Sequence, residues 1–112
     1  MTTIIFLDIL LLVWLHWISD FVFQTDNMAM NKSSSIKWLS IHIGVYMIPF
    51  FWFGWQFALI NGALHWVTDF FTSKWSGYYC KAGKIGLQFK VIGLDQAIHL
   101  TCLLGTYYWL FV

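Results

Sequence analysis

Arginine and glutamate are absent from this chain of 112 residues, and the charge that remains is sparse: six lysines and five aspartates, 10% of the sequence. A soluble domain carries about 25% charged residues, so there is too little charge here to solvate the surface of a small globule. A net charge of +1 also lacks the clustered basic surface that nucleic acid requires, so no nucleic-acid partner is expected. Proline occurs once, as Pro49, and the two cysteines, Cys80 and Cys102, form no CxxC and sit in no cluster. They read as free thiols, without a disulfide framework or zinc knuckle. The first apolar run starts almost at Met1, lacks a basic leader and continues too long for a signal sequence, so it reads as a span.

What the chain has in abundance is apolar and aromatic surface, at 60% and 21% of residues, with a mean hydropathy of +0.69. This excludes a disordered segment and points to an all-α membrane protein, one domain over residues 1–112, with the lipid bilayer as its first partner. Four apolar runs, 3–23, 36–53, 55–73 and 89–112, are each long enough to cross about 30 Å of hydrocarbon as helix. The links differ in kind. Residues 24–35 are polar and end in Ser33, Ser34 and Ser35, which are placed to cap the second helix. Gly54 marks a tight turn. Residues 76–88, with Gly77, Gly83 and Gly86, read as a loop.

All six lysines (Lys32, Lys37, Lys74, Lys81, Lys84 and Lys90) lie in or beside the first and third links, which four antiparallel spans place on one side. The positive-inside rule puts that side in the cytoplasm and both termini outside.

The polar residues within the spans are regularly spaced. His16, Asp20 and Gln24 are four apart; so are Asn61, His65 and Asp69; Asp95 and His99 repeat the interval, and His42 stands alone on the second span. Residues four apart share a helix face, and lipid penalises such groups, so each stripe should face the interior of a four-helix bundle. At 1.5 Å per residue all four histidines fall within roughly 5 Å of mid-span, with Asp20, Asp69 and Asp95 about one turn closer to the cytoplasm. A layer of imidazoles over a layer of carboxylates supplies the donors that first-row metals take, and four facing helices can converge them. The candidate ligands are therefore His16, His42, His65, His99, Asp20, Asp69 and Asp95, and the three aspartates are also the candidate catalytic groups. Gln24, Asn61 and Gln96 are supporting groups, with Gln24 and Asn61 expected to hydrogen-bond between helices. Asp26 reads as a solvated loop charge and Asp8 as a group near the outer interface.

Gly93, Ala97, Thr101 and Gly105 recur every fourth residue about 160° around the last helix from Asp95 and His99. With the polar stripe inward, this small-residue ladder faces outward and is expected to pack against a second copy of the chain.

The strings HWISDFVFQTDNMAMNKS, LSIHIG, NGALHWVTDFFTSK and IGLDQAIHL resemble a family of small membrane proteins of bacteria and their phages, known only as a domain of unknown function. The shared pattern is H-x3-D-x3-Q ahead of an Asn-Lys loop, an isolated His, N-x3-H-x3-D and G-x-D-Q-x2-H. It falls on His16, Asp20, Gln24, Asn31, Lys32, His42, Asn61, His65, Asp69, Gly93, Asp95, Gln96 and His99 without departure. The resemblance implies a bacterial membrane protein and no mechanism; together with the lysine distribution it gives an expected inner-membrane location with both termini periplasmic.

Several functions fit these residues. The first is a membrane-embedded metal centre, with zinc as the leading divalent ion, acting as a hydrolase at the cytoplasmic interface through activated water. The lysine-bearing loops there could attract anionic headgroups. The second is proton or metal-ion transport along an Asp/His track that Asp8 would extend outward. The third is b-type haem held by two histidines. A non-catalytic membrane factor of phage or bacterial origin is the fourth.

Overall fold

An apolar medium offers no partner to a bare peptide group, and this chain pairs its backbone within helices almost throughout. A computed structural model describes residues 2–112, and among them there is no strand. Helix α1 covers Thr2–Val22 and α2 is a short link helix, Asp26–Asn31. The longer helices that follow are α3 (Ile36–Phe53), α4 (Trp55–Lys81) and α5 (Ile85–Phe111). Helices α1 and α3 are each long and apolar enough to cross a membrane. In α4 and α5 the polar residues, from Asn61 to Lys81 and from Lys90 to His99, dilute an otherwise apolar length.

Local chemistry explains the boundaries. Thr25 caps α2, its Oγ1 accepting from the Met28 amide at 3.3 Å, and Ser35 caps α3 by accepting from the Trp38 amide at 3.4 Å. The expected serine cap is thus Ser35. Pro49, which has no amide hydrogen to give, tightens the end of α3 into a 3-10 segment over Ile48–Phe53. Gly54 then turns the chain at a φ of 106°, in the region that favours glycine.

The third link is shorter than its composition suggests. α4 continues through Ser76 and Gly77 to Lys81, and α5 begins at Ile85, so the turn is confined to residues 82–84 with Gly83 at φ 72°. Two effects carry the helix on. One internal glycine costs only about 1 kcal/mol. The hydroxyls of Ser73 and Ser76 donate back to the carbonyls of Asp69 and Ser73, so they are satisfied within the helix rather than in a turn, at only a slight cost to it. α4 and α5 have 27 residues each, about 40 Å of helix.

α4 packs along α5 and α3, and α1 packs against α5 and, through its last turn, against α3. The interior has two zones. Toward Gly54 and the termini lies an apolar cluster of Leu12, Tyr46, Phe50, Phe57, Ala58, Leu103 and Tyr107. Toward the lysine-bearing links lie buried His16, Asp20, His42, His65, Asp69, Asp95 and His99. The outer surface is reversed in polarity: Trp14, Val67, Phe71 and Phe89 are all more than half exposed. The ladder residues Gly93, Ala97, Thr101 and Gly105 also face outward, as expected from their register opposite Asp95.

Candidate metal centre

Helix periodicity and one local deformation build the centre. α1 leaves α-helical geometry at Ile18–Val22, where it widens into a π-helical turn containing Asp20; such insertions frequently mark functional sites. α3 contributes His42, α4 contributes His65 and Asp69 one turn apart, and α5 contributes Asp95 and His99 one turn apart. All seven expected ligand residues are buried and converge in one region.

Four atoms stand closest. His42 Nε2 is 3.0 Å from Asp20 Oδ1 and 3.4 Å from Asp69 Oδ2; His65 Nε2 is 3.4 Å and 3.2 Å from the same two oxygens. A tetrahedral zinc ion with bonds of about 2.0–2.1 Å separates its ligand atoms by about 3.3–3.4 Å. These nitrogen–oxygen edges span that value, so the donor set suits the ion in chemistry and in its four nitrogen–oxygen spacings. The imidazoles fit too. Neither ring nitrogen of His42 or His99 makes a hydrogen bond, although both residues are almost fully buried, and His65 Nδ1 is likewise unpartnered. Buried polar nitrogens are costly to leave unpaired, and a cation in the quartet would relieve that cost at His42 Nε2.

His16 differs from the other histidines. Its Nε2 lies 2.6 Å from Gln96 Oε1 and its Nδ1 2.9 Å from the Tyr46 hydroxyl. Gln96 turns its amide nitrogen to Asp20 Oδ2 at 3.2 Å and Asp95 Oδ2 at 3.0 Å, because an amide oxygen facing two carboxylates would be repelled. The amide oxygen can therefore only accept from His16, which places the His16 proton on Nε2 and leaves Nδ1 to accept from Tyr46. A directed chain results, from Tyr46 through His16 and Gln96 to two carboxylates. Such partners orient ligands. His16 thus reaches Asp20 and Asp95 through Gln96; it also lies 3.8 Å from Asp20 Oδ2 and, with Asp20 and His99, forms a further buried group of donor atoms within 4.8 Å of one another.

Asp95 is further fixed by the Thr72 hydroxyl at its Oδ1. Lys32 reaches in from the first link and places Nζ 3.4 Å from Asp69 Oδ2. A cavity of about 230 Å³ adjoins the carboxylates on the side of the lysine-bearing links; Asp20, Gln24, Lys32, Asp69, Asp95 and Gln96 are among its walls. The rings of His65 and His99 stack at 3.7 Å, which leaves no slot between them for a haem plane.

A family comparison gives this arrangement its place. The match runs over residues 6–112, to the family described as "Protein of unknown function (DUF3307)". The chain belongs to this family. The match takes in every residue of the His/Asp cluster, and the family's description assigns no activity. No curated protein and no solved structure matches the chain.

The supporting residues of this DUF3307 chain divide. Gln96 is central. Gln24 lies on the cavity wall with Oε1 buried and unpartnered. Asn61, expected to bond between helices, instead donates to the Phe57 carbonyl of its own helix at 3.1 Å, because that carbonyl lies one turn back within reach. Asp8 accepts from the Tyr107 hydroxyl at 2.6 Å, joining α1 to α5 near the termini, and Asp26 is exposed. Tyr46, Thr72 and the Lys32–Asp69 contact were not foreseen. Two of them carried a signal: Tyr46 lies four residues beyond His42 and Thr72 three beyond Asp69, so both continue a stripe already recognised.

Proposed function

We propose that this chain is an inner-membrane protein of four spans, α1, α3, α4 and α5, that holds a divalent metal ion, zinc foremost, within its bundle. We further infer that it acts as a metal-dependent hydrolase on anionic substrates at the cytoplasmic interface. The observation that carries this reading is the quartet Asp20, His42, His65 and Asp69, with nitrogen–oxygen edges of 3.0–3.4 Å and imidazole nitrogens that nothing else engages. Charge supports it. Asp20, Asp69 and Asp95 are at most 8% exposed, and Lys32 is the nearest fixed cation to them.

The exposed apolar surface on every long helix supports four spans, since water would penalise it and lipid would not. A bound divalent ion supplies a Lewis acid and lowers the pKa of water toward about 7. The protein's own part is to hold the carboxylates through Gln96 and Thr72, to keep water out from the terminal side with its apolar cluster, and to leave the cavity as the approach. Lys32 at the cavity wall favours an anionic group there. A conduit would have to pass from this centre through Leu12, Tyr46, Phe50, Phe57 and Leu103 to reach Asp8, and that zone is apolar and packed. Transport is accordingly the weaker reading.

Adding zinc, manganese or nickel to chelator-treated protein should raise its thermal stability; an ion at about 1,000 times its Kd adds about 4 kcal/mol. His42→Ala and His65→Ala should abolish the gain, and Asn61→Ala should keep most of it. Equal loss in all three would mean that the cluster only packs. Orientation has its own test. Cys80 is exposed near the end of α4, so an impermeant thiol reagent should label it only after the inner membrane is opened. Labelling from the periplasm would reverse the topology.

The outward ladder on α5 supports a homo-oligomer. Replacing Ala97 and Gly105 by Leu should shift the mass of the detergent-solubilised protein downward, and an unchanged distribution would count against packing through this face.

A further inference from the structure

We propose that the centre takes two divalent ions rather than one, bridged by Asp69, with the second held by Asp69 Oδ1, Asp95 Oδ1 and His99 Nε2. This rests on the metal-centre reading above and extends it to a second site.

The two oxygens of Asp69 face different partners. Oδ2 belongs to the quartet with His42 and His65, whereas Oδ1 is 3.4 Å from His99 Nε2. The same His99 nitrogen is 3.4 Å from Asp95 Oδ1. Two oxygens and one nitrogen therefore lie together outside the quartet, with nitrogen–oxygen spacings like those of the first site. A carboxylate that gives one oxygen to each of two donor sets is the usual element joining paired ions, which in two-metal hydrolytic sites stand about 3.5–4 Å apart.

The independent observation is His99. It is 2% exposed, and neither of its ring nitrogens has a hydrogen-bond partner. Its Nε2 points between two carboxylate oxygens, while Nδ1 is 3.6 Å from Asp20 Oδ2. A proton shared by Asp69 and Asp95 would balance one charge but leave His99 Nε2 unpaired. A cation between the two carboxylates balances charge and engages that nitrogen.

Asp95 is also prepared as a ligand. Thr72 and Gln96 fix its two oxygens, as outer partners fix ligating carboxylates. Lys32 stands at the quartet's side of Asp69 and not at this one. Only three protein donors serve the second position, and Asp69, Asp95 and Gln96 line the cavity there. The second ion would thus have coordination positions open to whatever enters. With both ions bound, the three carboxylates and Lys32 leave a net positive centre, which a phosphate-type anion in the cavity would balance.

The test is a manganese(II) titration of the purified full chain, read by metal content and by electron paramagnetic resonance. Two ions per chain with a spin-coupled signal are expected. Asp95→Asn and His99→Ala should each halve the content and convert the signal to that of isolated manganese, with helical content and thermal unfolding in chelator unchanged. One ion per chain in the wild type, indifferent to Asp95→Asn, overturns the second site and leaves the single-metal reading standing. No bound ion overturns both. If one variant fails to fold, the other and the wild-type stoichiometry still decide.

Discussion

Asp69→Asn should strip the protein of metal while leaving it folded. Asp69 is 1% exposed and its two oxygens serve different groups of donors, so its replacement reaches both the quartet and His99. Asparagine keeps the shape but replaces an anionic oxygen by an amide. Loss of an outer-shell partner alone lowers metal affinity by about 10–100-fold, and removal of a direct anionic ligand should exceed that. The metal-free fold should not suffer. Asn removes one of three buried negative charges and retains an oxygen toward Lys32, which is gentler than burying an unpaired group of new shape. The expected outcome is an affinity lowered by more than about 100-fold, together with unchanged helical circular dichroism. If metal content were unaffected, the quartet would not be the binding site. Gln96→Leu should act more weakly, within the 10–100-fold range, because it releases Asp20 and Asp95 without removing a ligand.

Metal should leave the protein as pH falls through the histidine range. A ligating imidazole must be neutral. Protons therefore compete with the ion, and the sign is fixed: affinity falls as pH falls. Each ligating imidazole that must shed a proton adds up to about tenfold per pH unit, so the profile of a His65→Ala variant should be shallower than that of the wild type. Equilibrium dialysis against zinc between pH 5 and 8 measures the slope. A flat profile would mean that the histidines take no part.

How much of this could be read beforehand follows from what a helix fixes. The interval of four placed His16 with Asp20, His65 with Asp69 and Asp95 with His99 on common faces, and the rise per residue placed them at common depth. Those two regularities depend only on helical geometry, so the convergence of seven residues was legible. Which nitrogens are free was not. It depends on Tyr46 and Gln96, whose hydrogen bonds occupy His16 and leave His42 and His99 open. Gln96 was the hardest to place, because it neighbours Asp95 and so lies about 100° off the polar stripe, yet its amide spans from His16 to two carboxylates. The extension of α4 to Lys81 was hidden by Ser76 and Gly77, whose turn-like composition is overridden within a continuing helix. The π-helical turn at Asp20 has no residue pattern that announces it.

The central claim is that this buried cluster is a metal site, and metal content tests it most directly. Wild-type protein purified without chelator and analysed by mass spectrometry for first-row metals should contain a stoichiometric divalent ion. His42→Ala, His65→Ala and Asp69→Asn prepared alongside should lose it. Wild-type protein with no metal, and with no gain in stability from added zinc, manganese or nickel, would contradict the account.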